Sequence, residues 1–140
     1  MPVAPQRDAN GKIVPHDHPE ILDDDFVLRY IVPPQDLHPD PGSGTTRVSS
    51  GAYSAGEGGM SVDIIRWMAE AGLHELYYLP DETFGARRIN VGFLRSLGLQ
   101  VGWDPDSGHH HHGTVWGVKQ THRRKIARVA ILSKKAEGET

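Results

Sequence analysis

The chain has 140 residues, of which 37% are hydrophobic and 24% charged, with nine histidines and no cysteine. That length suits one domain, and the missing thiols exclude a disulfide framework, cysteine-ligated zinc, iron–sulfur clusters and a thiol nucleophile. Charge is uneven: residues 1–40 hold eight acids and three bases, residues 113–140 two acids and seven bases.

Residues 1–24 carry four prolines, an Asn-Gly pair and little that is apolar, and they read as a flexible N-terminal arm. Neither a signal-peptide pattern nor an apolar run of about 18 residues occurs, so no membrane partner and a reducing cytoplasm are expected. Phe26 to Val32 is β-branched and aromatic and ends at Pro33-Pro34, a strand. Pro33 to Gly44 is too rich in proline for a helix or a central strand and reads as a surface loop. Arg47 to Tyr53 is a weaker strand.

Ser61 suits an N-cap, and apolar residues at three- and four-residue spacing after it predict a helix over Val62–Ala71, stopped by Gly72. Glu75–Leu79 reads as a short strand, and Ala86–Leu97 as a second helix ending at Gly98. Leu99–Trp103 and Gly113–Val118 read as strands, paired in a hairpin across the histidine run. Thr121 to about Lys135 patterns as a basic amphipathic helix. The expected architecture is a single α+β domain over residues 25–136, with a small, mostly antiparallel sheet, two or three helices and a short tail at 137–140.

The run His109–His112 is the conspicuous chemical feature. If extended, it puts His110 and His112 on one face, where two imidazoles would chelate a divalent metal with Asp104 or Asp106 as a harder ligand. Solvated histidines in a polar turn are the bland reading. His111 or His112 acting as acid–base is a third, because imidazole titrates near neutrality. Around Arg47, the residues Ser49, Ser50 and Tyr53, with Arg29 on the neighbouring strand, suit a grip on phosphate or ribose, and Ser61 adds a hydroxyl. Cross-strand pairing of hydroxyls is the structural alternative. Arg123, Arg124, Lys125 and Arg128 offer phosphate contacts or a solvated basic face. Trp67, Trp103 and Trp116 sit among apolar residues and read as core.

The run Arg47-Val48-Ser49-Ser50-Gly51-Ala52-Tyr53, the element Met60-Ser61-Val62 and the step His112-Gly113 resemble a group of small bacterial proteins. That group shares an Arg-x-Ser-Ser-x-Ala-aromatic run, a Met-Ser-Val element and a histidine before the penultimate strand. The resemblance spans about Phe26 to Ala130 and implies that Arg47, Ser49, Ser50, Ser61, Asp63 and His112 share one site, without naming a reaction. A looser similarity is to the ADP-ribosyltransferase-like toxins, where an early-strand arginine and a serine or tyrosine on the next strand hold NAD. Arg29 with Ser50 or Tyr53 maps that way, whereas no glutamate takes the catalytic place near the C-terminal strands.

Two functions follow as expectations. One is an enzyme acting on a nucleotide or nucleic-acid phosphate, with a histidine acid–base. The other is an accessory protein that docks on a partner through its basic C-terminal helix.

Overall fold

In a computed structural model, which describes residues 2–56 and 58–140, the chain forms an α+β domain around a six-stranded antiparallel sheet. Strand β1 (Phe26–Ile31) lies centrally, as its β-branched and aromatic residues predict. Two proline-flanked segments, β2 (Leu37–Asp40) and β3 (Thr45–Val48), form a separate two-stranded hairpin. Leu37–Asp40 was expected as loop. Pro39 is tolerated because the hairpin has no third strand to receive the missing amide. Arg47–Tyr53 is strand only to Val48, after which Ser49 caps a 3₁₀ turn over Ser50–Tyr53, its hydroxyl accepting from the Gly51 N–H.

The segment expected as one helix over Val62–Ala71 divides into β4 (Met60–Ile64) and α1 (Ile65–Glu70). Met60, Val62 and Ile64 alternate with Ser61 and Asp63, a period of two that pairing with β1 reinforces. Gly72, with φ of 77°, still ends the helix. Glu75–Leu79 is a run of turns closed by Tyr77 N–H to His74 O and Leu79 N–H to Leu76 O bonds, not a strand. Ala86–Leu97 likewise divides into β5 (Gly85–Asn90) and α2 (Val91–Ser96), with Asn90 as the N-cap accepting from Phe93 N–H at 2.8 Å.

The hairpin across the histidine loop is present: β6 (Gln100–Trp103) pairs with β7 (His112–Trp116). The basic helix α3 (Gln120–Val129) is shorter than expected, because Ile131–Lys134 (β8) leaves it to pair with β5 at the sheet edge. Strand order is β6-β7-β4-β1-β5-β8.

Val27, Ile31, Val62, Ile64, Ile89 and Val115 carry the core, joined by Leu94 of α2 and Ile126 of α3. Trp67 and Trp103 are buried as expected and meet edge to face, their centroids 5.6 Å apart. The N-terminal segment, expected as a flexible arm, is partly built into this body: Ile21 is fully buried and His18 is 2% exposed. Its residues serve the free edge of β6. His18 N–H donates to Val101 O, Asp17 accepts from Val101 N–H at 3.0 Å, and His16 Nε2 accepts from Trp103 N–H at 3.1 Å. The 137–140 tail is tied too, since Glu139 forms a buried ion pair with Arg87 and Thr140 N–H donates to Thr46 O.

Candidate functional site

Successive side chains of a strand point to opposite faces, and on β1 this separates two clusters. Tyr30 turns to Asp63 of β4, on the face shared by His112 in the β4–β7 register. Arg29 turns the other way, to the 3₁₀ turn.

Asp63 is 2% exposed and hydrogen-bonds both the Tyr30 hydroxyl and His109 Nε2, the latter at 2.8 Å. Burial and the Asp63 carboxylate push the Tyr30 phenol well above its ordinary value, so it stays the donor. His109 Nδ1 accepts from His111 N–H, and its ring stacks on Tyr78 with centroids 3.4 Å apart. Tyr78 OH in turn meets His111 Nδ1 at 3.1 Å. His111 borders a pocket of about 580 Å³ with His110, Glu20, Glu70, Arg66 and Trp67. Burial, with His110 and His109 as like charges, draws the His111 pKa below its ordinary value, so imidazole is favoured near neutral pH.

His112 differs. It is 6% exposed, its Nδ1 faces Asp104 O at 3.1 Å, and burial lowers its pKa. It braces the loop where an acid–base role was expected. The geometry invoked for a metal pair is absent as well: residues 109–111 bend and turn, so His110 packs edge-on to Trp103 instead of alternating onto the face of His112. Among the described residues no three His, Asp or Glu side chains converge as a metal-ligand group.

The second cluster is a groove of about 740 Å³ between the β2–β3 hairpin and α3, lined by His38, Arg47, Val48, Ser49, Ser50, Arg124, Ala127 and Arg128. It unites three residues of the expected phosphate grip, Arg47, Ser49 and Ser50, with the basic helix, and among the described residues no carboxylate lines it. The arginines explain its character. Arg7, Arg66, Arg87, Arg88 and Arg95 each pair with a carboxylate. Arg29 donates to three backbone carbonyls, of Ala52 at 2.9 Å, Ser61 at 3.0 Å and Ser54 at 3.3 Å. The other four, Arg47, Arg123, Arg124 and Arg128, have no ion pair or side-chain hydrogen bond to any described residue. Arg123 Nε is buried without a partner.

The remaining expected grip residues have other work. Arg29 is a strut whose donors are committed, and burial lowers its pKa. Tyr53 is 2% exposed in the core, and burial pushes its phenol up to about 12. Ser61 is an exposed β4 residue whose carbonyl receives Arg29. Asp63 and His112 are register partners, whereas Arg47, Ser49 and Ser50 line a different pocket from the histidine loop. Tyr30, Tyr78, His109 and His38 were not among the expected site residues. Only strand register and loop packing bring Tyr30 and His109 to Asp63 and Tyr78 to His109, and His38 is visible only as the cross-strand partner of Arg47.

No protein-family model matches the chain, and comparisons with curated proteins and with solved structures give no match. Among the described residues no helix is long and apolar enough to cross a membrane.

Proposed function

We propose that this protein binds a phosphate-bearing ligand, a nucleotide or a nucleic acid, in the groove between the β2–β3 hairpin and α3. One observation carries the reading: the four arginines without a partner among the described residues all belong to α3 or the facing β3, while the other six are spent on carboxylates or carbonyls. Guanidinium forks match phosphate oxygens bidentately, and Ser49 keeps its own O–H to donate while its oxygen accepts from Gly51. A cytoplasmic home fits such a ligand.

Thermal denaturation with pyrophosphate or ADP tests it. A ligand at 100 times its Kd stabilises by about 2.7 kcal/mol, so Tm rises for the wild type and not for Arg47→Ala/Arg124→Ala. No rise with either ligand at 10 mM (roughly the weakest affinity of interest, a Kd near 10⁻⁴ M) overturns the reading.

A second reading rests on the other cluster: His111 transfers protons in its own pocket, held by Tyr78, with Asp63 and His109 fixing Tyr78 in place. The two readings are independent, since the pockets share no lining residue. Carbethoxylation of His111 that is unchanged in Tyr78→Phe would count against it.

A further inference from the structure

Resting on the phosphate-binding reading above, we infer that the groove takes single-stranded nucleic acid and holds its backbone without reading its bases. The groove carries more positive charge than one phosphate would neutralise. A phosphate monoester carries about −1.5 to −2, whereas Arg47, Arg124 and Arg128 line the groove and Arg123 and Lys125 adjoin on α3, with no acid in that helix. One phosphate leaves most of this charge unmatched; a chain of phosphates matches it.

Arg124 and Arg128 stand one helical turn apart, about 6 Å along the axis, on one wall. Arg47 and Ser49 stand on the other. A ligand that runs along the cleft meets donors on both sides. The cleft is partly open to solvent, whereas mononucleotide sites enclose most of their ligand.

Among the described residues no Phe, Tyr or Trp lines the groove, and His38 is the one ring. Base stacking on aromatic side chains, the usual source of base contact in single-strand binders, therefore has no platform here. What remains is contact with phosphate, which positions a strand and carries no sequence information.

Fluorescence anisotropy on the full chain tests this, with fluorescein-labelled 20-nucleotide oligo-U and oligo-C strands, a 20-base-pair duplex, pyrophosphate and polyglutamate as competitors, over about 25–200 mM salt. The two strands are expected to bind within about threefold of each other, at least tenfold tighter than the duplex. With three to four phosphates engaged, log K falls against log salt with a slope of about −2 to −3. Arg124→Ala/Arg128→Ala reduces the slope by about 1.4 and weakens binding more than tenfold, while Arg7→Ala, away from the groove, changes neither. Circular dichroism confirms that each variant is folded, and Arg47→Lys, which keeps the charge, retains more than half of the slope lost in Arg47→Ala.

Duplex binding as tight as strand binding, or a preference above thirtyfold between oligo-U and oligo-C, overturns the inference. Equal competition by polyglutamate overturns it in favour of an acidic protein partner. Binding of pyrophosphate but of neither strand overturns the ligand class and leaves the phosphate site standing. Binding of none overturns both.

Discussion

Arg29→Met separates a strut from a ligand residue. The methionine keeps an apolar stem of similar length and removes the donors that reach Ala52 O, Ser61 O and Ser54 O. Hydrogen bonds from a charged donor contribute about 1.5–3 kcal/mol each. Two of the three are well formed and the one at 3.3 Å is weak. Releasing a half-buried guanidinium from its desolvation cost offsets part of the loss, so the net destabilisation is about 3 kcal/mol. For a chain of this size that lowers Tm by roughly 10 °C. Arg47→Met, which breaks no protein bond, stays within about 0.5 kcal/mol of wild type. Urea melts of both variants, read as midpoints with unchanged m-values, give the comparison. An Arg29→Met midpoint equal to that of Arg47→Met would refute the assignment of Arg29 as a strut.

Three other outcomes are expected. Glu139→Ala strands the buried Arg87 guanidinium and costs about 3–5 kcal/mol, whereas Arg87→Leu/Glu139→Leu recovers most of it; equal losses in a denaturant melt would contradict this. His112 is held neutral by burial, so its folded pKa lies below the unfolded value near 6.5. The unfolded chain therefore binds the extra proton first, stability falls as pH drops below about 6.5 by at most ~1.4 kcal/mol per pH unit for this group, and His112→Asn flattens that part of a Tm-versus-pH curve. Gly102→Ala drives a Cβ to 2.4 Å from the Trp116 ring and 2.7 Å from His16, so the N-terminal segment lifts from the β6 edge; faster hydrogen exchange at His18, Val101 and Trp103 checks it, and unchanged exchange speaks against it.

How far the sequence could be read depends on the length of each pattern. β1 was legible from its β-branched and aromatic run closed by Pro33-Pro34, and the β6–β7 hairpin from two short apolar segments flanking a turn-rich loop. The α+β class follows from the same mixture. Three helices were overextended for one reason. In Met60–Glu70, Gly85–Ser96 and Gln120–Lys134 a strand abuts a helix with no intervening turn, and apolar spacings summed across the junction mimic a period of 3.6. Asn90 was the one local mark of such a junction, as an N-cap residue inside the supposed helix.

The site divides likewise. Arg47, Ser49 and Ser50 were legible as a polar run, and α3 as basic, but nothing local says that the two face one groove. Arg29 and Arg47 look equivalent as strand arginines. Their roles differ because one donates to carbonyls at the 3₁₀ turn and the other lines the groove without a protein acceptor among the described residues. The histidine run drew attention to itself, whereas its organiser, Asp63, lies 46 residues away and only the β4–β7 pairing brings it there.

The most direct test of the arginine groove is an ¹⁵N spectrum of the arginine Nε–Hε groups, recorded on the full chain while pyrophosphate is added. The account predicts that the signals of Arg47, Arg124 and Arg128 move, while those of Arg29, Arg66 and Arg95 stay in place, because their Nε donors are already bound. Shifts confined to Arg66 beside the histidine pocket, or none in the three groove arginines, would contradict it.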